Sequence, residues 1–348
     1  MRVAVVVPTL GRSPLLADCL RSLRAEAAAP ARAADGSGAG AEVIVVAQGA
    51  EGVPRRVREL PPGLADRRLD LPRPLGFAAA VNLGIAAAAE ARYVAVVNDD
   101  AVVEPGWLGA LLAALESEPR AASAQGLNLL AGEPARTDGR GLGWNRWLQA
   151  VQLGHGEPPP PPAAPGAPPR EVFGVSATAA LYRREALLEV ALPPRPAAAG
   201  ASGGSAPAPE VFDSALGAYY EDVDLAVRLR AAGHLALSVP AARARHGGSH
   251  TAGSGVGRWR RVYGNRHLVA ARLLGRSFWR LLPRMAARDL ADLAGALGRG
   301  ELRRAAGLVL GWGRAARRLP RYLRSGPALV PPRELLGAAA GPPPAEAA

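Results

Sequence analysis

Residues 93–100 read YVAVVNDD: five apolar residues, then an amide and two carboxylates. An unbroken apolar run of this length, rich in β-branched side chains, suits a strand buried on both faces of a sheet. Two further runs share its character. Residues 3–7 are VAVVV, broken by PTLGR, and residues 42–48 are EVIVVAQ. Between the first two runs, Ser13-Pro14 reads as a helix N-cap with proline at the first helical position, and Leu16, Leu20 and Leu23 follow at helical spacing. Residues 34–40, ADGSGAG, read as a flexible connection, and residues 78–91 have helix composition. Strand, helix, strand, helix, strand predicts an α/β fold with a mostly parallel sheet covered by helices. Ligands of such sheets bind beyond the carboxyl ends of the strands. That directs attention to Thr9, Gln48 and above all Asn98-Asp99-Asp100.

Adjacent carboxylates at a strand end either cap a turn or hold a divalent cation. Mg²⁺ or Mn²⁺ takes one or two carboxylates and completes its shell with phosphate oxygens and water, which suits a diphosphate ligand. A second acidic group stands in YYEDVDLAVRLRAAGH, residues 219–234, where Glu221, Asp222 and Asp224 open a helix. Acids there complement the helix dipole, and Asp224 with Arg228 has i,i+4 spacing. His246 follows a second apolar run.

The formal charge is +12, and the chain contains no lysine. Between positions 258 and 324 stand 17 arginines and three acids, a balance of +14, so the remainder is near neutral at −2. This stretch mixes Leu, Ala and Arg at helical spacing. It reads either as solvated helix faces or as a peripheral contact with an anionic membrane, with Trp279, Trp312 and Tyr322 as interface or core residues. No nucleic-acid recognition module accompanies the charge. The single cysteine, Cys19, excludes an internal disulfide framework and shares a helical stripe with leucines, so a buried structural role is expected. The first apolar run is too short for a signal peptide, and no stretch of about 18 apolar residues spans a membrane. The expected location is the cytoplasm or the inner face of the cell membrane. Residues 155–170 and 193–210, rich in Pro, Gly and Ala, read as inserted surface segments.

Five segments in order resemble the inverting family 2 glycosyltransferases of GT-A fold, closest to their rhamnosyltransferase-like bacterial branch: MRVAVVVPTLGRSPLLADCLRSL, GFAAAVNLGIAAA, YVAVVNDDAVVEPGWL, FGVSATAALYRREAL and VFDSALGAYYEDVDLAVRLRAAGH. The resemblance covers roughly residues 1–270. It implies a catalytic domain over 1–257, while charge and helical spacing give a basic helical region over 258–326 and the tail over 327–348 reads as disordered. NDD takes the place of the family's Asp-x-Asp motif, so Asp100 would bind the metal and His246 would complete its shell. Asp222 would be the catalytic base, with Glu221 orienting the acceptor or the base. Thr9, Arg12, Gln48, Asn82, Asn98, Asp99 and Asp224 would face substrate. The implied donor is a nucleotide sugar, dTDP-rhamnose-like or a UDP-sugar. The implied acceptor is a glycan or lipid-linked glycan of the cell envelope, and loops within 126–182 would shape its pocket.

Two departures bear on the nucleotide. The family's second strand ends in Asp-Asn-Gly-Ser or similar, where this chain has Ala47-Gln48-Gly49-Ala50, and Pro74-Leu75 precede Gly76-Phe77 where the family has Asn. A catalytically silent glycan- or membrane-binding protein, or a sugar nucleotidyltransferase, is the alternative. The latter lacks its glycine-rich basic loop here, and no Gly-x-Gly-x-x-Gly of a dinucleotide oxidoreductase follows the first strand.

Overall fold

Both faces of the first strand are apolar, and both are covered. In Arg2–Thr9, Val3, Val5 and Val7 point to one side of the sheet while Ala4 and Val6 point to the other. The computed structural model describes residues 2–28, 31–32, 38–49, 52–132, 134–164, 167–193, 209–248 and 255–324. The sheet order from one edge is Arg170–Val172, Leu235–His246, Ala121–Leu130, Ala179–Arg183, Tyr93–Val97, Arg2–Thr9, Gly38–Gln48 and Ala31–Arg32. Arg2–Thr9 runs parallel to both Gly38–Gln48 and Tyr93–Val97, and Leu235–His246 runs parallel to Ala121–Leu130. Ala179–Arg183 is antiparallel to both of its neighbours and joins the two parallel blocks. The expected mostly parallel α/β sheet is present, with an antiparallel seam that apolar runs alone do not reveal.

Helices Leu16–Ala28 and Trp107–Ser117 cover one face through Leu16, Cys19, Leu20, Leu23, Leu108, Leu111 and Leu115. Each leucine-sized side chain buried this way stabilises by about 1.5–3 kcal/mol. The first of these helices begins at Leu16, two residues later than Ser13-Pro14 implies, and Ser13 Oγ accepts from Leu15 N–H at 3.1 Å in the turn that precedes it. Phe77–Ala87 covers the other face through Ala78, Val81 and Ile85. It approaches so closely that a Cβ on Gly84 would stand 2.3 Å from Val6 Cγ1.

A third core belongs to the C-terminal helices Val256–Leu274, Phe278–Gly298 and Leu302–Arg324, together with Leu142, Trp144, Leu216, Val223 and Val227. The basic region is thus packed onto the α/β unit. The first and third of these helices touch backbone to backbone: a Cβ on Gly311 would lie 3.0 Å from Gly264 N, and one on Gly307 2.4 Å from Trp259 Cβ. Among the described residues no helix is long and apolar enough to cross a membrane.

One expectation needs correction. Of residues 34–40, 38–40 belong to the strand Gly38–Gln48 rather than to a connection, and the rest lie outside the described residues. Residues 157–169, where described, carry no helix or strand, and Arg170 opens the edge strand. Most of 193–210 and all of 327–348 lie outside the described residues, although Leu192 and Glu210 bridge at the ends of the former. Tyr322 is a core residue, whereas Trp279 is 54% exposed.

Candidate active site

Parallel strands place their carboxyl ends on one edge, and here the polar residues gather. Thr9 Oγ1 donates to Asp99 Oδ2 at 2.5 Å, while Gly11 N–H donates to Thr9 Oγ1 at 2.8 Å. Burial raises the Asp99 carboxyl to about 6; the Thr9 hydrogen bond opposes that rise and the charge of Asp100 adds to it. Asn98 N–H donates to Thr178 O at 2.8 Å, which ties the strand end to the antiparallel seam.

Asp100 is 3% exposed, and the sheet register brings His246 to it. The short strand Ala101–Val103 pairs antiparallel with Leu235–His246, matching Ala101 to His246, and Gly247 N–H donates to Asp100 O at 2.8 Å. His246 Nε2 lies 3.2 Å from Asp100 Oδ1, and its Nδ1 lies 3.0 Å from Oδ2 of Asp138, on the strand Arg136–Gly139. Burial disfavours the imidazolium. The hydrogen bonds from Asp100 and Asp138 and their charges outweigh it and raise the histidine to about 10. A metal cation held by Asp100 would take the place of the proton on His246 Nε2, since only the neutral imidazole is a ligand. A carboxylate on one ring nitrogen with the other nitrogen aimed at a ligand position is the usual support of a metal-binding histidine. Asp100 and His246 therefore fit a divalent ion that takes its remaining ligands from phosphate and water. Among the described residues no set of three His, Cys, Asp or Glu side chains forms a metal cage.

The second acidic group opens the helix Glu221–Ala231, whose positive end favours it. The approach is strained: Tyr219 and Tyr220 adopt φ of 68° and 71°, the left-handed region that bulky side chains avoid. Asn265, fully buried on the first C-terminal helix, holds that turn. Its Nδ2 lies 3.1, 3.2 and 2.8 Å from the carbonyls of Leu216, Ala218 and Tyr219, and its Oδ1 accepts from Arg314 Nε at 3.1 Å. Asp222 accepts from Val223 N–H at 2.8 Å and Ala177 N–H at 3.4 Å. Burial raises its pKa, and these donors with the Ser176 hydroxyl offset part of the rise. Glu221 is raised well above the usual range by burial, then by the charge of Asp222. Glu221 Oε2, Tyr219 OH and Gln152 Oε1 have no hydrogen-bond partner among the described residues.

Both acidic groups line one cavity of about 590 Å³. Of the residues expected there, Thr9, Gln48, Asn98, Asp99, Asp100, Glu221, Asp222 and His246 line it. Asp138, Gln152, Ser176, Thr178, Tyr219 and Arg258 join them, none singled out in the sequence.

Three expected residues are elsewhere. Asp224 is fully buried and bonds Arg228 Nε at 3.0 Å and the Arg272 guanidinium, because two helical steps from Asp222 turn it about 200° away. Asn82 is occupied by the backbone of Phe212, donating to its carbonyl and accepting from its N–H, both at 2.8 Å. Arg12 is exposed beyond the turn and is not part of the lining. Cys19 is buried as expected, and burial raises its thiol pKa. The two departures prove to be in contact: Gln48 Oε1 accepts from the N–H groups of Leu75 and Gly76 at 2.8 and 3.1 Å.

Residues 4–190 match Glycosyl transferase family 2, and the chain belongs to that family. Its fold is shared by GalNAc-T7, crystallised with UDP, GalNAc and Mn²⁺, at 13% identity and a TM-score of 0.56, over 80% of this chain and 49% of that one. It is also shared by residues 1–349 of S. aureus TarS in complex with UDP-GlcNAc, at 15% identity and a TM-score of 0.53, over 93% and 83% of the two chains. This chain thus spans about half the length of the GalNAc-T7 chain. These likenesses establish the GT-A fold. No curated protein matches the sequence.

Proposed function

We propose that the protein is an inverting, metal-dependent glycosyltransferase that moves a sugar from a nucleoside-diphosphate donor to a hydroxyl of a glycan or lipid-linked acceptor. The observation that carries this reading is the shared cavity, where Asp100 and His246 stand on the same wall system as Glu221 and Asp222. Asp100 and His246 would hold Mn²⁺ or Mg²⁺, which when bound neutralises charge on the leaving diphosphate. Asp222, whose ionised form is favoured by two backbone N–H donors, takes the proton of the acceptor hydroxyl as it attacks. Glu221, raised by burial and unpartnered at Oε2, orients this hydroxyl through that oxygen. A single base on the acceptor side supports direct displacement with inversion, without a covalent enzyme intermediate. Thr9 fixes Asp99 and thereby the backbone that presents Asp100.

UDP in the GalNAc-T7 structure and UDP-GlcNAc in that of TarS favour a nucleotide-sugar donor. A dTDP-rhamnose-like or UDP-sugar donor and a role in cell-envelope polysaccharide synthesis follow from the sequence resemblance and belong to the same proposal. The test is release of nucleoside diphosphate from a panel of UDP-, dTDP- and GDP-sugars with and without Mn²⁺, alongside nucleotide binding by calorimetry. Metal-dependent release or binding for one nucleotide, lost in Asp100→Asn, is expected. Absence of any nucleotide binding, with or without metal, overturns the reading in favour of a catalytically silent binding protein.

A further inference from the structure

Among the described residues, seven large hydrophobic side chains are exposed by more than a third, and six of them lie on the last two helices: Trp279, Leu290, Leu297, Leu302, Val309 and Leu310. They are not scattered. On Phe278–Gly298, the exposed residues Trp279, Pro283, Ala287, Leu290, Ala294 and Leu297 follow one another at steps of three or four, a continuous apolar stripe facing solvent. Past the turn at residues 299–301, the third helix exposes Leu302, Ala306, Val309 and Leu310 in the same rhythm. The opposite sides of these helices are already buried, through Phe278, Met285 and Ala296 on one and Ala305, Leu308 and Ala315 on the other. The core is therefore satisfied, and the outward stripes need another explanation.

The charge beside the stripes identifies the occupant. Exposed arginines fringe them, among them Arg276, Arg280, Arg303, Arg317 and Arg321. The three acids of the region are already engaged. Asp289 is buried against Arg266 and His267, Asp292 pairs with Arg288 at 2.6 Å, and Glu301 pairs with Arg299 at 2.7 Å and Arg304 at 3.2 Å. An apolar stripe between arginines matches a surface that is apolar within and anionic at its rim, namely a membrane with acidic headgroups. A second copy of this face would set arginine against arginine. Neither helix is apolar enough to span a bilayer, so the helices would lie along its surface.

We infer that the exposed stripe of helix Phe278–Gly298, continued by Leu302 at the start of the next helix, docks the protein onto an anionic membrane surface, with Trp279, Leu290, Leu297 and Leu302 inserted among the acyl chains and the arginines at the headgroups. This surface is independent of the chemistry proposed for the cavity. Not every arginine of the region belongs to this face, since several, Arg266 and Arg272 among them, lie in the interior instead.

The experiment is flotation of the full chain with vesicles of phosphatidylcholine plus phosphatidylglycerol, against phosphatidylcholine alone. Binding to the anionic vesicles only, weakening as salt rises, is expected. The combined variant Trp279→Ser, Leu290→Ser and Leu297→Ser is expected to lower vesicle affinity at least tenfold while circular dichroism shows the chain still folded, since about half of each side chain is already in water. Each of Arg276→Gln and Arg280→Gln is expected to lower it by roughly fivefold. Failure of the folded full chain to float with anionic vesicles overturns the inference, as does binding that survives the combined variant. Light scattering that finds a dimer, dissolved by the combined variant, with no vesicle binding, assigns the face to a second copy and overturns it equally.

Discussion

Glu221 and Asp222 are neighbours in sequence with opposite expected behaviour. Burial raises both, but Asp222 receives two backbone N–H groups that oppose the rise, whereas Glu221 has an unpartnered oxygen and is raised further by Asp222 itself. With Asp222 as the proposed base, Asp222→Asn is expected to lower kcat in the transferase assay by about 10²–10⁴-fold. Glu221→Gln keeps the size and hydrogen-bonding capacity of a side chain whose charged form burial disfavours, and is expected to keep kcat within about tenfold of the parent. A reversal of that order would assign the base to Glu221. Because burial raises Asp222, the acid limb of kcat against pH is expected above the ordinary value of 3.8, activity rising as the carboxyl ionises. Asp138 acts one step away, through Nδ1 of His246. Asp138→Asn is expected to weaken Mn²⁺ binding about 10–100-fold by calorimetry with nucleotide present. Affinity for nucleotide measured without metal is expected to stay the same, which a general loss of structure would not allow.

At the scale of elements, the turn before helix Glu221–Ala231 is held from outside. Two consecutive left-handed tyrosines are costly, each by about 1–3 kcal/mol, and Asn265 meets the carbonyls they leave behind. Asn265→Ala is expected to loosen the aim of Asp222 and lower kcat well beyond any change in donor KM. Equal losses in both would mean that the helix contributes stability only. This device also marks where the sequence stops being legible. The strands could be read because valine runs declare burial, and Asp100 and His246 stood out because polar residues end apolar runs. Nothing in Tyr219-Tyr220 encodes positive φ, and Asp138, a lone acid in RTDGR, gives no sign that it will meet a histidine 108 positions away. Asp224 and Asn82 were misplaced for a related reason: proximity in sequence does not say which side of a helix a residue takes. Gln48 shows the same limit, since its contact with Leu75 and Gly76 joins two departures that are separate in the sequence.

Across the whole molecule, buried ionic clusters join the basic helices to the α/β unit and to one another. Arg272 reaches Asp224 and Asp213, and Asp213 accepts from Tyr322 OH at 2.8 Å. Asp289 gathers Arg266, His267 and the Trp312 indole N–H. Burial by itself would raise the pKa of both Asp213 and Asp289. Tyr322 and Arg272 around the one, and His267 and Arg266 around the other, overcome that, so both lie below the unfolded value of 3.8. A carboxylate depressed by folding contributes stability that is complete above the unfolded pKa and is lost as pH falls through the folded one. Acid is therefore expected to release the C-terminal helices below the ordinary carboxylate range, with the turn at Tyr219 and Tyr220 loosened in step. Asp289→Asn leaves Arg266 buried without its counter-charge, and a destabilisation of about 3–5 kcal/mol is expected at neutral pH. Followed by circular dichroism in urea, the gap between parent and variant should narrow as pH falls below 3.8, because protonation of the parent Asp289 removes the same charge. A gap that stays constant down to that range would mean that packing, rather than the ion pair, fastens these helices.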